Sequence, residues 1–179
     1  MFHGGGSDMD PTVTVRRLRE SDWEAFKLLR LRGLASDHNA FASTWAEESH
    51  LDDLRWIDWV NRGATSTSEA IWVAERTDRS LVGMIGVFSK DHSFYVWGMW
   101  VEPTQRGRGI GGGLLDTLLR WVGTTSPSTE VRLSVAPSQV SAVRLYRSRG
   151  FVSTGVVEAL EHTPGSVCHE MLRRPTSAP

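Results

Sequence analysis

The sequence predicts an α/β domain in which helices cover both faces of a mixed sheet. Segments with the alternating pattern of strands are interspersed with segments of helical periodicity. At 179 residues the chain is long enough to bury one full core, and no internal repeat, linker or low-complexity block divides it. We therefore predict one domain over residues 12–174, with about seven strands and about four helices, flanked by tails at 1–11 and 175–179.

The N-terminal part of the chain is predicted to run from a tail through a strand into a helix. Residues 1–11 are rich in glycine and lack periodicity, which indicates a disordered tail or an expression remnant. TVTVRRL, from Thr12, alternates like a strand. Ser21 and Glu24 have the spacing of a capping box, which predicts a helix from there to about Ala35.

A second helix is predicted over SHLDDLRWIDWVNRG, after a short irregular or helical piece, AFASTWAEES. Its end is predicted at Gly63. Apolar residues recur along it at helical spacing: Leu51, Leu54, Ile57 and Val60.

The rest of the chain alternates strands with two further helices. EAIWVAER and SLVGMIGVFSK predict a hairpin that turns around residues 77–79, and SFYVWGMWV predicts a third strand that ends before Pro103. LLDTLLRWV is an amphipathic helix. EVRLSV predicts a strand, and SQVSAVRLYRSRG a helix that ends at Gly150. FVSTGVVEAL and SVCHEMLRR predict two last strands, paired through a loop that holds Pro164 and Gly165.

Composition narrows the classes of function. Lys and Arg total 20 and Asp and Glu total 21, so charge provides no general attraction to nucleic acid or an anionic membrane. The lone cysteine, Cys168, leaves no internal disulfide and fits a reducing compartment. No apolar run approaches the ~20 residues of a membrane helix, and the N-terminus lacks the apolar core of a signal peptide. We expect a cytoplasmic protein without a nucleic-acid or membrane partner.

Metal chemistry is not expected, because the six histidines include no pair at metal-ligand spacing on a helix.

The stretch RGRGIGGG, Arg106 to Gly113, contains two overlapping phosphate-binding patterns. Gly107-x-Gly109-x-x-Gly112 has the spacing of a dinucleotide fingerprint, which requires an acidic residue about 20 positions on, at the end of the next strand. The next strand, EVRLSV, is followed by Ala136-Pro137-Ser138, so the acidic residue is missing. A predicted hairpin also precedes the glycines, where the dinucleotide fold requires parallel βαβ repeats. A P-loop is excluded because no Lys-Ser/Thr pair follows. The alternative register, Arg106-x-x-Gly109-x-Gly111, is therefore favoured.

Both flanks of this register resemble the GNAT family of acetyl-CoA-dependent N-acetyltransferases. MWVEPTQRGRGIGGGLLDTLL is similar to the family's pyrophosphate-binding segment, in which a strand and Val-x-Pro precede Arg/Gln-x-x-Gly-x-Gly/Ala and a helix. LSVAPSQVSAVRLYRSRGF is similar to a later strand and helix that end in Leu-Tyr-x-x-x-Gly-Phe. The motifs lie in residues 99–151. The resemblance implies a twisted, mostly antiparallel sheet with a splayed central strand pair, and acetyl-CoA as cosubstrate.

The resemblance also implies a site for coenzyme A. The free edge of the central strand would pair with the pantetheine arm, and a backbone N–H there would hold the developing oxyanion; these residues are Met99, Trp100 and Val101. Amides at the start of the following helix would bind the pyrophosphate; this loop comprises Arg106, Gly107, Arg108, Gly109, Ile110, Gly111 and Gly112. Arg108 is equally well explained as a solvated surface residue. Gln139 stands where the family often has asparagine.

Tyr146, in the Leu-Tyr motif, is the candidate acid that returns a proton to the CoA thiolate, and it also borders the cofactor. The family often supplies a base from a glutamate on the central strand, but HSFYVWGMWV contains no carboxylate. Glu47 and Glu48 are candidates, although Thr44 and Glu47 also have the spacing of a capping box. Glu48 is therefore retained as the candidate base, unless the base acts through water or the amine arrives neutral.

Three functions remain open at this point. The first is transfer of an acetyl group to a primary amine of a small molecule by direct attack in a ternary complex, with acetylation of a peptide N-terminus or lysine as a variant. The others are a non-catalytic acyl-CoA-binding module and the disfavoured dinucleotide binder. Trp45, Trp56 and Trp59 either wall the acceptor pocket or fill the core. The resemblance leaves both a monomer and a homodimer open.

Overall fold

In the part of the chain that the structure describes, seven strands form one sheet in the order β1-β2-β3-β4-β5-β7-β6. The structure, a computed structural model, describes residues 9–37, 40–160, 163 and 165–175. The strands are β1 (Val13–Arg17), β2 (Glu69–Arg76), β3 (Leu81–Lys90), β4 (Ser93–Val101), β5 (Glu130–Val135), β6 (Val152–Ala159) and β7 (Val167–Arg173). The pair β4–β5 is parallel, and the other neighbouring strands are antiparallel. The predicted mixed, mostly antiparallel sheet is confirmed.

Helices cover both faces of this sheet. They are α1 (Trp23–Ser36), α2 (Trp45–Ser49), α3 (Asp53–Thr65), α4 (Ile110–Thr125) and α5 (Val140–Ser148). One apolar core lies under α4 and α5, and a second lies under α1 and α3. Within the described ranges, no helix combines the length and apolarity needed to cross a membrane.

The tails fall largely outside the described part of the chain. Residues 1–8, Pro164 and residues 176–179 are not described. Residues 9–11 of the predicted N-terminal tail are described, and the backbone N–H of Asp10 donates to the carbonyl of Arg108 at 3.0 Å. This short segment therefore contacts the glycine-rich loop.

The predicted helix is confirmed as α1, but the capping box predicted at Ser21 does not form. A short 3-10 turn at Glu20–Asp22 precedes the helix, which begins at Trp23. The carboxylate of Asp22 accepts hydrogen bonds from the Arg19 N–H at 2.7 Å and from the Arg16 guanidinium at 2.6 Å. A half-buried ion pair thus decides how the chain enters α1, which a local capping pattern does not reveal.

The predicted face of α3 was also wrong in part. Leu54 is exposed, and the buried positions are Trp56, Val60 and Gly63. Gly63 does not end the helix, which continues to Thr65. A Cβ atom at Gly63 would lie 2.5 Å from the Ile71 side chain. The glycine is therefore required by close packing of α3 on β2.

Candidate active site

A gap between β4 and β5 is the central feature of the site. The two strands pair only at Ser93–Glu130, Phe94–Val131 and Tyr95–Arg132. Beyond these pairs β4 continues to Val101 and β5 to Val135. The splayed central pair that the resemblance implied is therefore present, and it exposes backbone groups along one edge of β4.

A bulge in β4 determines which of those groups face the gap. Gly98 and Met99 lie opposite the single residue Ile85, and Gly98 has a φ of +61°, which favours glycine. The N–H of Glu102 donates to Val82 of β3. Because backbone groups alternate along a strand, those of Trp100 also face β3, whereas those of Met99 and Val101 face the gap.

Trp100 contributes in another way. Its ring is buried in the core under α1, and its indole N–H donates to Asp37 Oδ2 at 2.7 Å. Of the three strand residues predicted to meet the cofactor, Met99 and Val101 therefore have their backbone on the open side, and Trp100 fixes β4 to the end of α1.

The glycine-rich loop ends beside the gap as a helix N-terminus with free amides. Gly109 precedes α4 in the left-handed conformation, with φ +74°. The N–H of Gly113 makes the first bond back, to the Gly109 carbonyl at 3.0 Å. Among the described residues, the backbone amides from Ile110 to Gly112 have no backbone acceptor in the loop. They form a preorganised anion site of the kind that suits a pyrophosphate.

Two cavities meet at the gap. The first, here called the loop cavity, has a volume of about 600 Å³ and is lined by the glycine loop and the start of α5. The second, here called the edge cavity, has a volume of about 580 Å³ and extends to the edge strand β6. Residues bordering both are Ala40, Met99, Gln139, Ala142 and Tyr146.

The arginines of the loop differ in their orientation. Arg106 lines the loop cavity, donating from Nε to the Val101 carbonyl at 2.9 Å and from Nη2 to Asp37 at 2.6 Å. Arg108 instead pairs with Asp10 at 3.1 Å, which favours the surface role that was left open for it. Arg149, which the motif analysis missed, lines the loop cavity and pairs with Asp116.

Asp37 is a second residue that the sequence did not single out. Burial alone would raise the pKa of this carboxyl, but hydrogen bonds from Trp100 and Arg106 outweigh that effect and hold its pKa below the ordinary value. The ionised carboxylate therefore ties the end of α1 to both β4 and the glycine loop.

Tyr146 lies where the two cavities meet. Its side chain is only 6% exposed, and its hydroxyl donates to the Met99 sulfur at 3.2 Å. Burial raises the pKa of the phenol above its ordinary value of 10.0. The group is therefore protonated at neutral pH, as a proton donor must be.

Glu48 does not have the geometry of a base. Its carboxylate accepts from Arg30 Nε at 2.9 Å and Nη2 at 2.7 Å, and the Ser43 hydroxyl donates to the same carboxylate. The pair is buried, and Glu48 lines neither cavity. The prediction of Glu48 as the base is corrected accordingly, because both oxygens already serve a buried guanidinium.

Glu47 forms the capping box that its spacing indicated. Its backbone N–H donates to the Thr44 hydroxyl, and its carboxylate accepts from the Thr44 N–H. Its role is therefore to start α2.

Aromatic side chains surround the Arg30 guanidinium behind the edge cavity. The guanidinium carbon lies 4.5 Å from the Phe41 ring, 5.6 Å from Trp59 and 5.5 Å from Trp97. Phe41 and Trp97 line the cavity, whereas Trp56 and Trp59 stack behind it and Trp45 is half exposed. Of the tryptophans considered for the pocket wall, Trp56 belongs to the core.

Glu158 is the carboxylate that borders the edge cavity among the described residues. The Ser134 hydroxyl donates to it at 3.1 Å. Burial, and then the negative charge of Glu158, raise the pKa of the neighbouring Cys168 thiol. No sequence pattern indicates this position, because Glu158 meets Ser134 only once β7 pairs between β5 and β6.

Among the described residues, no three His, Cys, Asp or Glu side chains lie close enough together to hold a metal ion.

About half of the chain is similar in sequence to curated proteins. N-acetyltransferase 8 of Homo sapiens is 33% identical over 90 residues, which make up 47% of this chain and 39% of that protein. The chain spans less than two thirds of the length of the curated relatives it matches.

Solved structures share the fold at low sequence identity. The structure of yncA from Salmonella typhimurium with its cofactor acetyl-CoA aligns with a TM-score of 0.75 at 16% identity, over 93% of this chain and 96% of that one. Spermidine N-acetyltransferase from Vibrio cholerae, solved with CoA and spermine, aligns with a TM-score of 0.71 at 21% identity, over 93% and 97%.

The most specific comparison is with a family model. The model described as the acetyltransferase (GNAT) family matches residues 17–151, which is more than half of the 179 residues. The match includes the glycine loop, the splayed strands and Tyr146. The chain belongs to the acetyltransferase (GNAT) family.

Proposed function

We propose that the protein transfers the acetyl group of acetyl-CoA to a primary amine of a small molecule by direct attack in a ternary complex. The observation that carries this proposal is that two cavities border the same residues beside the gap between β4 and β5. Met99, Gln139 and Tyr146 border both cavities. A donor in one cavity and an acceptor in the other would therefore meet beside the phenol.

The loop cavity suits the donor. Amides from Ile110 to Gly112 would bind the pyrophosphate, with Arg106 and Arg149 at the rim as cations. Backbone groups of Met99 and the N–H of Val101 would pair with the pantetheine arm, because they face the gap, whereas the Val101 carbonyl already accepts from Arg106. The relatives solved with acetyl-CoA or CoA support this choice of cosubstrate.

The chemistry would proceed at the junction of the cavities. A neutral amine attacks the thioester carbonyl, and a backbone N–H on the open edge of β4 stabilises the oxyanion that develops. Collapse of the tetrahedral intermediate breaks the C–S bond, and the sulfur leaves with the electron pair. Tyr146 donates a proton to that sulfur, and the proton that the amine loses passes through solvent in the edge cavity and restores the phenol of Tyr146.

Calorimetry distinguishes the binding classes. Acetyl-CoA and CoA should bind, whereas NAD should not.

A variant that crowds the loop provides the structural test: a Cβ at Gly111 would lie 3.1 Å from Met99, whereas one at Gly123, further along α4, would meet nothing within 4 Å. Gly111→Val should weaken acetyl-CoA binding by about tenfold or more, the equivalent of one lost charge-assisted hydrogen bond, and Gly123→Val should leave it unchanged.

Turnover distinguishes the enzyme from a non-catalytic binding module. Thiol release is measured with a panel of small amines, amino acids and a peptide with a free N-terminus. Binding of acetyl-CoA without amine-dependent thiol release would favour the binding module. Preference for the peptide over every small amine would contradict the proposed acceptor class.

A further inference from the structure

Among its described residues, the lining of the edge cavity carries one carboxylate and no cationic side chain, and this pattern indicates the chemical class of the acceptor. On the basis of the proposed function, we infer that Glu158 binds a second cationic group of the acceptor. The acceptor is therefore a diamine or polyamine, in which one amine reacts beside Tyr146 and another is held at Glu158.

The position of Glu158 separates it from the site of reaction. Tyr146 is 6% exposed and lies at the inner end of the edge cavity, where the loop cavity begins. Glu158 is an exposed residue of the edge strand β6 at the outer side. A carboxylate there is placed to meet a part of the acceptor that is remote from the reacting nitrogen.

The lining of the edge cavity favours a cation with an apolar chain. Its described residues include Glu158 but no lysine, arginine or histidine. Phe41, Trp97 and Leu160 supply apolar surface between the two ends. The positive charge of Arg30 lies behind Phe41 and Trp97 and is paired with Glu48, so it does not offset Glu158 in the cavity.

Glu158 is also oriented and not committed to a cation. The Ser134 hydroxyl donates to its Oε2 atom at 3.1 Å, and no ion pair of Glu158 occurs among the described residues. Glu170 provides a contrast. It shares the sheet face of Glu158, since Glu158 pairs with Cys168 and Glu170 follows Cys168 by two residues on β7. Its carboxylate, however, pairs with Arg132 at 3.1 Å and borders neither cavity.

The test compares three acceptors that share a four-carbon chain: putrescine, n-butylamine and γ-aminobutyrate. For the wild-type enzyme, kcat/KM should be about tenfold or more higher for putrescine than for n-butylamine, as expected for one charge-assisted hydrogen bond. It should be lowest for γ-aminobutyrate, whose carboxylate is repelled. Glu158→Gln should bring the putrescine to n-butylamine ratio close to one, mainly through KM, and Glu170→Gln should preserve the wild-type ratio.

The ratio also separates this inference from the proposed function. An enzyme that binds acetyl-CoA and acetylates n-butylamine as well as putrescine would overturn the inference and leave the function intact. So would an unchanged ratio in Glu158→Gln. An equal fall in both Glu158→Gln and Glu170→Gln would attribute the preference to the general field of the sheet and would also overturn it. Absence of acetyl-CoA binding in the wild type would refute the function itself.

Discussion

Replacing Gly98 with alanine tests whether the bulge of β4 is held rigidly from behind. Gly98 has a φ of +61°, and a Cβ there would lie 2.9 Å from Arg30 Nη1. The left-handed conformation costs an L-residue about 1–2 kcal/mol. The guanidinium cannot move aside freely, because Glu48 holds its Nε and Nη2 atoms and the Phe41 ring lies 4.5 Å from its carbon.

The magnitude follows from these parts. Overpacking against a clamped group adds about 1–3 kcal/mol, and the reduced entropy of the unfolded chain returns about 0.4–1 kcal/mol. We expect Gly98→Ala to lower the free energy of unfolding by about 3 kcal/mol, or the melting temperature by about 6–12 °C for a domain of this size. Urea denaturation followed by tryptophan fluorescence measures it, and thiol release should fall because Met99 is displaced.

Gly155 offers a matched control. Its φ is +84°, it lies in the exposed strand β6, and a Cβ there would meet nothing within 4 Å. Gly155→Ala therefore carries the conformational cost alone, about 1 kcal/mol after the entropy offset. Equal losses of stability in the two variants would refute the argument that Arg30 clamps the bulge.

Two further predictions concern the acid and the corrected base. Tyr146→Phe should lower kcat by about 100-fold, within the usual range for a lost general acid, with the acetyl-CoA Kd from calorimetry unchanged. Because burial raises the pKa of the Tyr146 phenol above 10.0, deprotonation of Tyr146 should cause no loss of the wild-type rate below pH 10.0. Unaltered turnover in Tyr146→Phe would contradict the acid role. Glu48→Gln should lower the free energy of unfolding by about 3 kcal/mol, since it leaves the Arg30 charge buried without its counterion. The pH–rate profile of Glu48→Gln should match that of the wild type, and a shifted acidic limb would restore Glu48 as the base.

Local motifs predicted the part of the site that depends on local structure. The glycine loop, the free amides at the start of α4 and the position of Tyr146 all follow from neighbouring residues whose spacing fixes their geometry. The strands were predicted well for a similar reason, because their alternating patterns are bounded by clear turns. The family resemblance supplied the gap between β4 and β5, which no local pattern of charge or hydropathy indicates.

The rest of the site depends on contacts between residues distant in the chain. Glu48 meets Arg30 across 18 positions, and Asp37 meets Arg106 across 69. Spacing rules contain no term for either pair. Glu158 approaches the edge cavity only because β7 pairs between β5 and β6, which places β6 at the edge of the sheet. Charge placement of this kind requires the topology to be known first.

The short parallel contact between β4 and β5 joins the two halves of the sheet at one end only, so that a rotation about this contact opens or closes the gap. Tyr95 is the last residue of β4 that pairs with β5, and Val101 ends the strand six residues later, a distance of about 20 Å at ~3.3 Å per residue. Each degree of rotation about the paired residues 93–95 displaces Val101 by about 0.35 Å over that distance. A change in the packing around residues 93–95 would therefore alter the width of the gap at Met99, four residues beyond Tyr95, without contacting a bound molecule.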